Sequence, residues 1–281
     1  AQEFECNFNM SGETVFRPED LELIQAGLCD PKYKTGFDRN LWIWEEHQPG
    51  SNYMISADVA RGDGQDYSTF HVFKLETSEI VAEYQGKPTP DVFSDMLFQA
   101  GSEFGECMVV VENNSVGWGV LSKLEEKNYP NLYYSKKSTH EHVETYHSEQ
   151  PGVIPGFTTS SKTRPLIVSK LEELIRNKLI NIKSKRLFSE MKTFVWINGK
   201  AQSMRKHNDD LIMACAIGCW VKETAFSINQ RAIEYQKAFL SSMDSTNRIL
   251  NTSISGMLSY ERRKKEDNKE NYKKHAWLLK G

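Results

Sequence analysis

Length, composition and charge already restrict what this chain can be. Of its 281 residues, 39% are hydrophobic and 26% are charged, which is typical of a globular protein and excludes a chain that is disordered throughout. The apolar runs at 108–111 and 211–216 are far shorter than the roughly 18 residues of a membrane span, and mean hydropathy is -0.57, so no membrane partner is expected. Five cysteines without a CxxC pair or zinc-finger spacing indicate reduced thiols in a cytosolic protein.

The charge is unevenly distributed along the chain. Residues 51–135 carry 5 basic and 13 acidic side chains, whereas residues 136–206 carry 14 basic and 6 acidic ones. A carboxylate-rich half beside a basic half is what a metal-dependent enzyme acting on a polyanion needs. Ordinary solvated faces would give the same distribution, so charge alone leaves both interpretations open.

The first elements in chain order predict an antiparallel meander. Residues 1–50 show little periodicity apart from a short helix at 20–25, and we interpret them as a linker or the edge of a further domain. Strand patterns follow, separated by turns, at 53–59, 68–75 and 80–85. A helix at 90–104 and a continuous apolar strand at 108–111, of the kind buried on both faces, come next.

The remaining elements complete an α/β domain over residues 51–222. The pattern predicts a helix at 117–127, a strand at 132–134, a loop or hairpin at 136–159, a helix at 164–178, short strands at 180–183 and 193–197 around a helix at 188–192, and an apolar helix at 209–222. This order predicts a ribonuclease-H-like fold: a mixed central sheet of three antiparallel strands and then parallel strands, flanked by helices. Residues 223–281 are expected to be a helical or partly disordered tail.

Acidic residues lie at the ends of three of these elements. Asp58 ends an apolar strand, Glu112 directly follows the buried strand 108–111, and Asp209 and Asp210 open the last core helix. A buried carboxylate is costly unless it is paired or bound to a cation, and several together repel one another unless a metal neutralises them. Oxygen ligands suit Mg²⁺ or Mn²⁺, and two such ions would activate water and stabilise the leaving oxygen in phosphodiester cleavage.

Each acid also has an ordinary structural explanation. Asp58 fits a turn before Gly62, Glu112 fits a strand-end carboxylate, and one of the two adjacent aspartates fits a helix N-cap. Asp66 fits either an auxiliary carboxylate or a hairpin cap. The joint occurrence at three element ends is what favours a site.

Four motifs, in this order, resemble the nuclease domain of the large terminase subunit of tailed bacteriophages, of the type found in contractile-tailed myoviruses. They are SADVARG at 56–62 followed by DYS at 66–68, VVVENN at 109–114, KTFVW at 192–196, and HNDDLIMA at 207–214. The resemblance covers residues 50–222. It implies a ribonuclease-H-like, metal-dependent endonuclease that cuts concatemeric double-stranded viral DNA during genome packaging.

Site residues and partners also follow from the resemblance. It implies an acidic triad of Asp58, Glu112 and one of Asp209 or Asp210, with Asp66 in support. Residues 1–50 would be the junction to an ATPase motor absent from this sequence, and the tail would contact the portal protein of the procapsid. The small terminase subunit is a further implied partner, and the implied location is the host cytoplasm, with transient docking on the procapsid.

Basic residues before and around the acidic helix are candidates for phosphate contacts with little base readout. They are Lys136, Lys137, Lys162, Arg164, Lys185, Arg186, Arg205 and Lys206. Two other functions fit the same pattern: another ribonuclease-H-like nuclease of the resolvase or transposase type, and a non-catalytic module that binds DNA or the portal. Substrate preference and the presence of hydrolysis separate these three hypotheses.

Overall fold

The computed structural model describes residues 14–36, 39–136, 142–143 and 152–222, with 142–143 described as backbone only. All of these belong to the first of the two units into which the chain divides, Ala1–Ser227. The predicted tail, 223–281, lies outside the described residues. Within the described ranges, none of the helices combines the length and the apolar character needed to cross a lipid bilayer.

The described part of the chain forms both helices and strands. The helices are α1 Pro18–Gly27, α2 Pro90–Glu103, α3 Gly117–Glu126, α4 Thr163–Arg176, α5 Lys185–Lys192 and α6 at 210–222. The strands are β1 Tyr33–Thr35, β2 Leu41–Ile43, β3 Tyr53–Asp58, β4 Ser68–Lys74, β5 Glu79–Gly86, β6 Met108–Val111, β7 Tyr134–Lys136, β8 His142–Val143, β9 Val153–Pro155, β10 Phe194–Ile197 and β11 Lys200–Ser203.

A six-stranded mixed sheet forms the centre of the domain, in the order β1-β2-β5-β4-β3-β6. The β3, β4 and β5 strands form the predicted antiparallel meander, and β6 lies parallel to β3 with Ala57 opposite Val111. Such a parallel pair requires a crossover, which α2 supplies. The predicted α/β fold with a mixed sheet is therefore confirmed.

Alternation along the central strands fills two hydrophobic layers, one on each face of the sheet. Ile55 and Val109 point into the layer covered by α2 and α3, whereas Met54 and Val110 point into the layer that includes α4, α5 and α6. Because both faces are covered, β6 is apolar throughout, and β3 is apolar apart from Ser56 and the terminal Asp58.

Residues 14–50 differ from the expected linker. The short β1 and β2 strands extend the central sheet, because β2 pairs with β5 through Leu41 opposite Tyr84. Val15 and Phe16 are buried in the core beside β10, where the Val15 N–H donates to the Phe194 carbonyl and the rings of Phe16 and Phe194 stack. The described part of this segment thus belongs to the same domain, while the junction to a motor domain stays a prediction.

Three smaller elements also differ from the expected ones. The predicted strand 180–183 is reduced to a single bridge between Asn181 and Glu79. The predicted strand 132–134 pairs beside β6 only through Leu132, after which the chain enters the separate sheet β8-β7-β9. The β11 strand, which forms a hairpin with β10, was not predicted at all.

Candidate metal-dependent active site

Asp58 and Glu112 lie side by side at the ends of the two parallel strands at the centre of the sheet. Asp58 is the last residue of β3, and Glu112 follows β6 directly. The main-chain N–H of Glu112 donates to the carbonyl of Ala57 over 2.9 Å, so the parallel pairing continues to the site itself. The register of the two parallel strands thereby brings together two carboxylates that are 54 positions apart in the sequence.

Helix α6 carries the other two aspartates to the same edge. Side chains of β3 and β4 bind carbonyls in its first two turns: Thr69 donates to Asp210 over 3.0 Å, and Ser56 donates to Ala214 over 2.7 Å. Nε2 of His71 lies 2.9 Å from the carbonyl oxygen of Leu211. Since all three side chains are buried, the start of α6 is fixed over the sheet by specific polar contacts.

The carboxylate of Asp210 is oriented by neutral donors. Oδ2 accepts from the main-chain N–H of Tyr67 over 2.8 Å and from the side chain of Asn208 over 3.0 Å. Burial raises the pKa of Asp210, the two hydrogen bonds lower it, and the charges of Asp66 and Asp209 raise it again, with a net rise. Asp66 is exposed and acts on Asp210 through its charge.

The carboxylate of Asp209 is bound differently, because it forms an ion pair with Arg164 at the start of α4, with Nη2 2.5 Å from Oδ2. Both side chains are partly exposed. Arg164, which the sequence singled out as a phosphate contact, therefore lies at the acidic cluster and is paired there with one of its members.

The electrostatics of the cluster favour a bound cation. Burial raises the pKa of Asp58 well above its usual range, and the charge of Glu112 and a hydrogen bond between the two carboxyl groups raise it further. The charge of Asp210, and to a smaller extent that of Asp209, also raises the pKa of Asp58. Repulsion among these acids is what a divalent cation would relieve, and an all-oxygen donor set suits a hard cation such as Mg²⁺.

The side chains do not enclose a cation in their present orientations. Across 14–36, 39–136 and 152–222, no three acidic, histidine or cysteine side chains are arranged closely enough to hold a metal ion. Glu112 accepts a hydrogen bond from Asn114 over 2.8 Å, and Asp209 is bound to Arg164. The donor types and their shared edge nevertheless fit a hard divalent cation.

Two features of the site were not found from the sequence. Glu190, on α5, is buried beside α6, and its carboxylate accepts from the N–H of Ile212 over 3.2 Å and from Gln85 over 3.1 Å. Burial, together with the charges of Asp210 and Glu83, raises its pKa to about 9. Gly117, which opens α3, lies so close to Glu112 that a Cβ there would be 1.8 Å from the Glu112 carbonyl oxygen. The sequence signal available for this contact was that Gly117 comes shortly after Glu112, an acid at the end of a strand.

The other basic candidates are placed as follows. Lys136, Lys162, Arg205 and Lys206 are exposed, and their phosphate contacts stay predictions. Lys185 forms an exposed pair with Asp30, and Arg186 is bound by the buried carboxylate of Glu83. Arg186 therefore has a structural partner in the fold. Lys137 lies outside the described residues.

These observations define a mixed-sheet α/β domain of the ribonuclease-H-like class with a carboxylate cluster at the strand ends. No protein-family model matches the chain. Among solved structures, the large terminase nuclease from thermophilic phage G20c with bound cobalt is 19% identical, with a TM-score of 0.57, covering 75% of this chain and 98% of that one.

Two further structures have the same fold. The G20c nuclease with bound magnesium is 18% identical, with a TM-score of 0.56, and covers 75% of this chain and 98% of that one. The large terminase nuclease domain of Thermus phage P74-26 is 18% identical, with a TM-score of 0.52, and covers 70% of this chain and 92% of that one. The resemblance expected from the four motifs is confirmed at the level of the fold.

Proposed function

We propose that this chain is a metal-dependent endonuclease that cuts double-stranded viral DNA during genome packaging, as the nuclease part of a large terminase subunit. The observation that carries the proposal is the convergence of Asp58, Glu112, Asp209 and Asp210 at one edge of a ribonuclease-H-like sheet. The fold shared with phage terminase nucleases, of which that of phage G20c was solved both with magnesium and with cobalt, supports the same function.

Asp58, Glu112 and Asp210 are the proposed metal ligands. Asp210 is chosen over Asp209 because its charge acts more strongly on Asp58 and because its carboxylate is held by neutral donors, whereas that of Asp209 is paired with a guanidinium. Divalent Mg²⁺ or Mn²⁺ ions, two in the expected site, would supply an activated water and charge stabilisation for phosphodiester hydrolysis.

The chain's own residues prepare the site before any ligand binds. Tyr67 and Asn208 hold the Asp210 carboxylate in one orientation, and Asn114 does the same for Glu112. Arg164, beside Asp209, supplies a positive charge at the edge of the acidic cluster, where the phosphate of a bound strand would approach.

The partners follow from this function. Double-stranded DNA is the proposed substrate, and the portal protein and the small terminase subunit are the proposed protein partners, acting in the host cytoplasm at the procapsid. These partners rest on the resemblance and the shared fold.

A plasmid-nicking assay tests the proposal. The wild-type chain should nick and linearise plasmid DNA with millimolar Mg²⁺ or Mn²⁺, and EDTA should stop the reaction. Asp58→Asn should lose the activity while keeping the circular dichroism spectrum of the wild type. Glu126→Gln, an exposed acid at the end of α3, is the matched control and should cut normally.

The same assay distinguishes the other hypotheses. A preference for four-way junctions over linear duplex DNA would favour a resolvase. DNA or portal binding without hydrolysis would indicate a non-catalytic module, and cutting by Asp58→Asn would contradict the site.

A further inference from the structure

A basic groove of about 790 Å³ lies at the edge of the domain where β1 and β2 extend the central sheet. Four cations line it: Lys32, Lys34, Arg39 and Arg186. None of its lining residues is acidic, in the part of the chain that the structure describes.

Two residues that line the groove connect it to the carboxylate cluster and to the start of α6. Tyr67 lines the groove, and its main-chain N–H donates to Asp210 over 2.8 Å. Gln85 also lines it and donates to Glu190, which in turn accepts from the first turn of α6. A residue of the groove is therefore in direct contact with a proposed metal ligand, and none of the lining residues is acidic among those that the structure describes.

The cations of the groove are arranged around an aromatic ring. Nζ of Lys34 lies 4.1 Å from the centre of the Trp42 ring, and the guanidinium carbon of Arg186 lies 3.9 Å from it. Cation–π contacts of this kind hold a long side chain in place while leaving its charge available. Arg186 is also paired with Glu83, whereas Lys32, Lys34 and Arg39 form no ion pair with the residues in 14–36, 39–136 and 152–222.

The positive charge of this groove is unusual because the groove is built largely from an acidic segment of the sequence. Residues 1–50 contain only 4 basic residues against 10 acidic ones, and three of those four, Lys32, Lys34 and Arg39, line the groove. If the cations of this acidic segment were merely solvated, they would not be expected to line one concave surface. The distribution favours a polyanionic ligand.

We propose that this groove binds the phosphodiester backbone of the DNA strand that enters the carboxylate cluster. The inference rests on the proposed nuclease function and adds a substrate-binding surface from residues that the sequence had assigned to a linker. Lys32, Lys34 and Arg39 contact phosphates, and Trp42 fixes the position of Lys34. Such contacts give affinity and strand direction without base specificity.

Fluorescence anisotropy with a labelled DNA duplex, in EDTA so that no cleavage occurs, tests the groove on the full chain. The test variant is Lys32→Ala/Lys34→Ala/Arg39→Ala. The charge-matched control is Lys123→Ala/Arg176→Ala/Lys178→Ala, whose three side chains are exposed and lie outside the groove. Affinity is measured over a range of salt concentrations, because removing one phosphate-binding cation lowers the slope of log K against log salt by about 0.9.

The expected result is a slope about 2 to 3 smaller for the groove variant, and an unchanged slope for the control. When cleavage is measured at saturating Mg²⁺ over a range of DNA concentrations, the groove variant should show a raised KM, with the kcat at saturating DNA retained. Equal slopes for the wild type, the groove variant and the control would overturn the proposed DNA-binding role of the groove. Cleavage, and hence the nuclease proposal, would be unaffected by that result. Absence of wild-type cleavage would overturn the nuclease proposal instead, and absence of wild-type DNA binding would overturn the groove.

Discussion

Arg164 and Asp209 form an ion pair at the carboxylate cluster, with 2.5 Å between Nη2 and Oδ2. The neighbouring Asp210 is held by Tyr67 and Asn208 through neutral donors. Two adjacent aspartates of one motif thus have different partners. A carboxylate already neutralised by a guanidinium is a poorer metal ligand than one held by neutral donors, since the cation must first displace the arginine.

The two aspartates should therefore differ in their effect on cleavage. Asp210→Asn should abolish Mg²⁺-dependent plasmid nicking, because it removes a ligand charge, whereas Asp209→Asn should reduce the rate less. Single-turnover rates with saturating DNA measure the difference. Equal loss in both variants would assign metal binding to the pair together, and greater loss in Asp209→Asn would reverse the assignment.

Metal binding should be visible as a change in stability. Because burial and the charge of Glu112 destabilise ionised Asp58, a divalent cation that binds only the folded protein should raise its Tm. At a free concentration about 100 times the Kd, the gain in free energy of unfolding is about 2.7 kcal/mol.

Asp58→Asn should be at least as stable as the wild type in EDTA, and Mg²⁺ should stabilise it little. Thermal unfolding with and without Mg²⁺ measures both effects, with Glu126→Gln as the variant that should respond like the wild type. A Mg²⁺ response in Asp58→Asn as large as in the wild type would place the metal elsewhere.

The sequence predicted the centre of the fold well, because local pattern and tertiary environment agree there. The run at 108–111 is apolar at every position, and both faces of β6 are buried. Asp58 and Glu112 were candidates because acids occur together at the ends of several elements, where burying a carboxylate without a partner is costly. The apolar pattern of α6 likewise predicted a buried helix with its acids in the first turn.

Elements that depend on contacts distant in sequence were missed. β1 and β2 have three residues each, too few for alternation to be recognised, and they exist because Leu41 pairs with Tyr84 on β5. Glu190 lies in an amphipathic helix as any solvated glutamate would, and only the packing of α5 against the start of α6 makes it a buried acceptor for Ile212. No local pattern distinguishes such a glutamate from its exposed counterparts.

Glu190 should make stability depend on pH. Its pKa is raised from 4.5 to about 9 in the folded protein, mainly by burial, so the folded state holds a proton that the unfolded state releases. The free energy that this proton contributes is fully present below about pH 4.5 and is lost as pH rises towards about 9.

Glu190→Gln should flatten that dependence, because the amide is neutral throughout and still offers an oxygen to the Ile212 N–H. Urea unfolding in EDTA at several pH values between 5 and 9 measures it. An identical pH profile in the variant and the wild type would show that Glu190 is ionised in the fold.

The close approach of α3 to Glu112 provides a test with an internal control. A Cβ at position 117 would lie 1.8 Å from the Glu112 carbonyl oxygen, and a main-chain atom cannot move aside as a flexible side chain can. Gly117→Ala should therefore cost about 1–3 kcal/mol or more in free energy of unfolding. It should also slow cleavage, because the relief of the collision shifts the main chain that carries Glu112.

Gly119 lies two residues further along the same helix, and a Cβ at that position would have no atom within 4 Å among the described residues. Gly119→Ala should stabilise the protein by about 0.4–1 kcal/mol, since alanine loses less backbone entropy in a helix than glycine does, and it should leave cleavage unchanged. Urea unfolding and plasmid nicking on both variants separate a local effect at Glu112 from a general effect of helix propensity. If the two substitutions change stability in the same direction and neither alters cleavage, the contact between α3 and Glu112 does not position the carboxylate.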